Sequence, residues 1–206
     1  MIKILTNFDR DNCAGLFDEM YRARAAVFHD RLGWNVRVCD GREIDRYDAG
    51  ENPVYLLSLD DDGRSTGSLR LLPTTGETML CNEFSGFFNE PVNIRSPTAW
   101  ECTRFCVHPS SSSKERNGGR HVSSNLLIGL CELALSSGVA HIIGLYETHM
   151  TRVYRRIGWS PQPLAFARPE IGKLVVGIWE VSNAAAVTMQ ARAEEPANPT
   201  YTRQAA

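Results

Sequence analysis

The sequence predicts an α/β chain, in the looser α+β sense: one mixed, twisted sheet flanked by helices. Three observations carry this. Two strand-like runs, residues 54–59 and 67–72, flank the turn Asp60-Asp61-Asp62-Gly63 and read as a hairpin. From 100 to 146 a strand, a helical pattern and a second strand follow one another, which requires a right-handed crossover between parallel strands. Helix and strand then alternate to a last strand at 174–181, so helices must cover the sheet.

Composition sets the frame. The 206 residues are 43% hydrophobic and 22% charged, enough for one domain with a real core. No window holds the roughly 18 apolar residues of a membrane helix, and no basic-then-apolar leader opens the chain. The net charge of −2 argues against a nucleic-acid binder. The six cysteines form no Cys-x-x-Cys pair and no histidines have metal spacing, so no metal site is expected. Scattered cysteines without secretion point to reduced thiols in the cytoplasm.

Each element has its reason. Residues 2–6 are a short apolar run. Residues 7–11 offer capping side chains, and a helix is expected from there to about Arg31. Leu16, Met20, Ala23 and Val27 recur at helical spacing as its core stripe, with Tyr21, Arg24 and Phe28 on the neighbouring one. An arginine so placed is ordinarily a snorkelling surface residue. Gly33 ends the helix, and 35–52 has loop composition, long enough to be functional. Residues 79–88 are expected as a short helix carrying Phe84, Phe87 and Phe88. Residues 109–119 are Ser-rich, then basic. Residues 122–136 form a helix burying Leu126, Leu127, Leu130, Leu133 and Ala134 and ended by Gly138. Residues 140–146 are a strand. Thr148 caps a helix to Ile157, ended by Gly158. The single domain is expected over 1–182, with 183–206 a flexible tail.

One strand breaks the pattern. Trp100-Glu101-Cys102-Thr103-Arg104-Phe105-Cys106-Val107 carries two charges where a buried strand should be apolar. Glu101 and Arg104, three apart, would point to opposite faces of a regular strand. Either they form a structural pair at a sheet edge, or a bulge at Cys102–Thr103 turns both to one site.

Four segments together resemble the acyl-homoserine lactone synthases, the LuxI-type autoinducer synthases, over roughly residues 20–180. They are Arg24-Ala-Ala-Val-Phe28 with Arg31-Leu-Gly-Trp34; Glu43-Ile-Asp45-Arg-Tyr-Asp48; Gly67-Ser-Leu-Arg70-Leu-Leu-Pro-Thr-Thr-Gly76 with Met79-Leu80; and Trp100-Glu101-Cys-Thr-Arg104-Phe105. The resemblance implies a GNAT-like three-layer fold. It implies an acyltransferase that joins a thioester-borne acyl group to the amine of S-adenosylmethionine, closes the lactone and releases methylthioadenosine. S-adenosylmethionine is then a substrate, and no cofactor is implied. The donor is an acyl carrier protein or acyl-coenzyme A.

The matched residues imply roles. Glu101 and Arg104 are catalytic, with Glu101 as the base that frees the amine. Arg24, Phe28, Trp34, Asp45, Asp48 and Arg70 bind S-adenosylmethionine. In that set the aspartates suit its cationic parts, and the rings suit its sulfonium or adenine. Arg24 or Arg104 would grip its carboxylate, and Arg70 would orient an aspartate. Cys102, Thr103, Phe105, Gly144, Tyr146, Met150 and Val153 line the acyl chain. Some relatives that use 3-oxo chains carry threonine where Gly144 stands, which weakens the case for that substituent. Arg152, Arg155 and Arg156, with Lys114, Arg116 and Arg120, form a basic dock for an acidic carrier protein. The GNAT phosphate loop is not matched cleanly by Arg116-Asn-Gly-Gly119-Arg-His. Two other readings stand beside this one: a GNAT acyltransferase for another amine, and a non-catalytic acyl or adenosyl sensor.

Overall fold

In a computed structural model, residues 1–50, 52–109 and 118–194 are described. Nine strands form a seven-stranded sheet and a small hairpin among them. The elements run β1 (Ile2–Thr6), α1 (Ala14–Arg24), β2 (Val38–Cys39), β3 (Arg42–Glu43), α2 (Tyr47–Gly50), β4 (Val54–Leu59) and β5 (Ser65–Pro73). Then follow β6 (Ala99–Val107), α3 (Gly118–Ser136), β7 (His141–Glu147), α4 (Thr151–Ile157), β8 (Gln162–Phe166), β9 (Leu174–Glu180) and α5 (Asn183–Glu194). The sheet order is β1-β4-β5-β6-β7-β9-β8, and only β6 and β7 pair in parallel, as the crossover required. On one face α3, α4 and α5 cover Leu56, Leu69, Leu71 and Trp179 of the sheet, α3 contributing Leu126 and Leu130. On the other, α1 lays Phe17, Met20 and Tyr21 over Leu5, Tyr55 and Leu57.

Several expectations are corrected. The first helix is not continuous from the caps: a 3₁₀ turn spans Asn7–Asp9, and the stretch Ala25–Arg31 is π-helical, a form that recurs at functional sites. Its buried stripe is Phe17, Met20, Tyr21, Arg24, Val27 and Phe28, so Arg24 is core and not a surface arginine. The loop 35–52 holds the β2–β3 hairpin and α2. Residues 79–88 are turns with a 3₁₀ segment at Ser85–Phe87, and the Glu101 carboxylate accepts the Met79 and Leu80 N–H groups. The expected flexible tail is helical over Asn183–Glu194, where Ala186 and Met189 are buried against the α3 core. Residues 195–206 of that tail lie outside the described residues.

The strand β6 shapes the site. Ser68 faces Cys106 and Arg70 faces Thr103, so Leu69 of β5 opposes two residues, Arg104 and Phe105. That is a β-bulge, with Arg104 in the left-handed region at φ +52°. It lies two residues beyond the position expected at Cys102–Thr103. The extra residue keeps Glu101, Thr103 and Arg104 on the α1 side and sends Phe105 to the α3 side. On its other edge β6 pairs with β7 from Ala99↔His141 to Glu101↔Ile143 and no further. Beyond that the two strands are unpaired, and a cleft opens through the sheet.

Candidate active site

Below the α1 side of β6 lies a closed ion network. Arg24 is 1% exposed; it donates to Asp48 Oδ1 and Oδ2, both at 2.9 Å, and to Glu43 Oε2 at 2.6 Å. Arg70, fully buried, donates to both oxygens of Asp45, to Asp48 Oδ1 at 2.9 Å and to Thr103 Oγ1 at 3.0 Å. Arg104 joins Glu43 Oε1 at 2.9 Å and Asp45 Oδ2 at 3.0 Å. Tyr55 donates its hydroxyl to Asp48 at 2.8 Å. Three guanidiniums thus match three carboxylates, the condition under which so many charges can be buried. Burial alone would raise the Asp48 pKa, but the charges of Arg24 and Arg70 outweigh it and hold Asp48 far below the usual carboxylate range.

Above this network a cavity of about 920 Å³ threads the cleft between β6 and β7. Its α1-side lobe is lined by Phe28, Trp34, Glu43, Asp45, Glu101 and Arg104. Trp34, 43% exposed, stacks on Phe28 at 5.0 Å between ring centres and 21° between planes. The Arg104 guanidinium lies 5.6 Å from the Phe28 ring centre. The α3-side lobe is apolar, lined by Phe105, Leu127, Leu130, Met150, Tyr154 and Trp179.

Glu101 stands where the lobes meet. Its two oxygens each accept one backbone N–H, from Met79 and Leu80, at 2.8 Å. Burial pushes its pKa up to about 7 against the pull of those two bonds. A carboxyl poised there can exchange a proton near neutral pH. The thiols beside it are not nucleophiles in waiting: burial pushes Cys102 up to about 12 and Cys106 up to about 11.

Of the residues singled out in the sequence, Glu101, Arg104, Phe28, Trp34 and Asp45 meet in one lobe. Cys102, Phe105, Gly144, Tyr146 and Met150 line the cavity too; Thr103 also does, but it faces Arg70 and not the apolar lobe. Val153 packs into the core without lining the cavity. Arg24, Asp48 and Arg70 also stay out of it: their polar atoms are spent on one another, so they are the foundation of the site and not its surface. Arg152, Arg155 and Arg156 are exposed on α4. Lys114 and Arg116, and the side chain of Arg120, lie outside the described residues.

Two positions quoted within the matched segments, Glu43 and Met79, are given no role by sequence reasoning. Glu43, 1% exposed, holds Arg24 and Arg104 together; its signal was its place two residues before Asp45. Met79 offers its sulfur to Arg70 and Arg104, both at 3.3 Å, contacts with β5 and β6 that its place in the matched segment does not reveal.

Comparison with known proteins agrees with this geometry. An acyl-homoserine-lactone synthase of Rhizobium etli is 56% identical over 182 residues, 88% of this chain and 85% of its own. A CoA-dependent acyl-homoserine lactone synthase, solved with S-adenosylmethionine and isopentyl-CoA, matches at a TM-score of 0.81. It is 25% identical over 96% of this chain and 90% of that one. An aminoglycoside 6'-acetyltransferase, 15% identical, shares the fold alone, with a TM-score of 0.57 over 88% of this chain and 97% of its own. A family model described as autoinducer synthase matches residues 8–183, and the chain belongs to that family, as an acyltransferase of the acyl-homoserine-lactone synthase kind.

Proposed function

We propose that the protein transfers an acyl group from a carrier thioester to the amine of S-adenosylmethionine, then closes the homoserine lactone. The observation that carries this is the single cavity with two unlike lobes. One is charged and aromatic, suited to a sulfonium amino acid with an adenosine. The other is apolar, suited to an acyl chain. The reacting centres of two such substrates would meet at the β6–β7 cleft beside Glu101.

The chemistry follows. Glu101 takes a proton from the ammonium, directly or through a water. The freed amine attacks the thioester carbon, the C–N bond forms, the C–S bond breaks, and the carrier thiol leaves. Beyond Glu101 the edge of β6 is left unpaired by β7, and its backbone N–H groups would receive the negative oxygen of that step. The substrate carboxylate then attacks the carbon bearing the sulfonium. A C–O bond forms, the second C–S bond breaks, and neutral methylthioadenosine departs. Holding the two groups close supplies most of the help for ring closure. The network of Arg24, Asp48 and Arg70 keeps Asp45 and Arg104 in place throughout.

An acyl carrier protein is the donor this reading favours, with the exposed Arg152, Arg155 and Arg156 as its dock. Acyl-coenzyme A is the second reading, favoured by the related structure that holds isopentyl-CoA. The test is to supply purified protein with S-adenosylmethionine and each donor in turn. Mass spectrometry should find an acyl-homoserine lactone and equimolar methylthioadenosine with one donor class. An acylated product that keeps its sulfonium would instead mean a simple N-acyltransferase. Ligand binding with no product from either donor would mean a sensor.

A further inference from the structure

The substrate carboxylate needs a cation, and the two arginines expected to grip it are already committed. Arg24 has no face in the cavity and is closed by Glu43 and Asp48. Arg104 does line the cavity, but its Nε and Nη2 are held by Glu43 and Asp45, and its Nη1 lies on the Met79 sulfur. Drawing Arg104 away would leave Glu43, 1% exposed, with half of its charge pairing lost.

Two other arginines line the cavity, Arg31 and Arg37. Among the described residues neither side chain makes an ion pair or a hydrogen bond. They differ in how they are held. Arg31 closes the π-helical segment Ala25–Arg31, three residues after Phe28 and three before Trp34. The Leu32 N–H bonds the Val27 carbonyl at 3.0 Å and the Trp34 N–H bonds the Phe28 carbonyl at 2.8 Å, which fixes the backbone on either side. Arg31 is exposed and lines the cavity together with Phe28 and Trp34. Arg37 stands beyond Trp34, outside any helix or strand.

We propose that Arg31 is the counter-ion of the α-carboxylate of S-adenosylmethionine, held beside the Phe28–Trp34 ring pair that faces the sulfonium. This rests on the function proposed above and deepens it. A free guanidinium on a fixed backbone offers two parallel N–H donors to a carboxylate. It also aims that carboxylate for the ring closure, so the same contact serves binding and the second step. A donor phosphate is the other anion that could meet a cation here, and the experiment separates the two.

The ligand pair is S-adenosylmethionine and its decarboxylated analogue, which lacks only the carboxylate. Calorimetric dissociation constants of both are measured on wild type, Arg31→Met and Arg37→Met, with the fold checked by circular dichroism. Wild type should prefer S-adenosylmethionine by about tenfold or more, the scale of one charge-assisted pair. Arg31→Met should bind both ligands alike, and Arg37→Met should keep the preference. The proposal is overturned if Arg31→Met keeps it, if Arg37→Met alone loses it, or if Arg31→Met raises only the KM for the acyl donor. A wild type that binds neither compound sinks the functional reading as well, and that failure shows before any variant is made.

Discussion

Glu101 is the residue on which the chemistry turns, and its two backbone bonds give it a second duty. It pins Met79 and Leu80 and so shapes the wall of the cavity, while burial leaves its carboxyl near pKa 7. Because the base must be unprotonated, kcat/KM for S-adenosylmethionine should rise with pH through about 7 and level off above it. Glu101→Gln should lower turnover by about 10²-fold or more and flatten that limb. Stability runs the opposite way. Between the unfolded value of 4.5 and about 7 the folded state binds the extra proton, so stability falls as pH rises through that window. Buried His108, pushed down to about 4, slopes the other way in both proteins, so the difference in urea-unfolding free energy between wild type and Glu101→Gln should carry the Glu101 slope across pH 4.5–7. Arg24 teaches the converse lesson. Its helical phase placed it beside the core, but its burial depends on acids 19 and 24 residues away. No local pattern carries that, which is why it read as a surface arginine.

At the scale of elements, the bulge in β6 is what puts two charged side chains of one strand on one face. Its cost is local: Arg104 holds φ +52°, where a side chain is strained by roughly 1–2 kcal/mol relative to glycine. Arg104→Ala and Arg104→Gly both remove the ion pairs to Glu43 and Asp45, but only glycine relieves the backbone. Both should therefore lose activity, and Arg104→Gly should be the more stable of the two by about 1 kcal/mol in urea unfolding. Equal stabilities would mean that the backbone at this position carries no strain. The need for a bulge was legible because Glu101 and Arg104 could not otherwise share a site. Its location was not, since β5 register decides it.

Elements without a strong period escaped sequence reading. The strand β8 has Pro163 inside it, tolerated because β8 is an edge strand. Only Ala186 and Met189 of α5 are buried, too few to stand out from an alanine-rich tail. The Ser182 hydroxyl accepts the Ala185 N–H at 3.2 Å and starts that helix. Met189 is 0% exposed, so Met189→Ala should cost about 2–5 kcal/mol of unfolding free energy. A frayed segment would lose nothing on that substitution.

Across the whole molecule, what the sequence made readable was the order of strong elements: the hairpin, the crossover and the helices stopped by Gly138 and Gly158, both at positive φ. What it hid was distance, because cavity lining and ion pairing depend on which elements meet. The donor dock is a property at this scale. The net charge is only −2, yet α4, whose Tyr154 lines the apolar lobe, carries Arg152, Arg155 and Arg156 on exposed positions. The helix is held in place from outside the dock. Arg192 of α5 donates to the carbonyls of Arg155 and Arg156 at its C-terminal end, so changing those two side chains need not disturb their backbone. Arg155→Glu with Arg156→Glu should raise the KM for an acidic carrier protein several-fold. The effect should be larger at low salt, where exposed charges are least screened. The KM for S-adenosylmethionine, whose lobe lies on the far side of the sheet, should not move. A carrier-protein KM indifferent to the two charges and to salt would reject this face of α4 and shift the weight to acyl-coenzyme A.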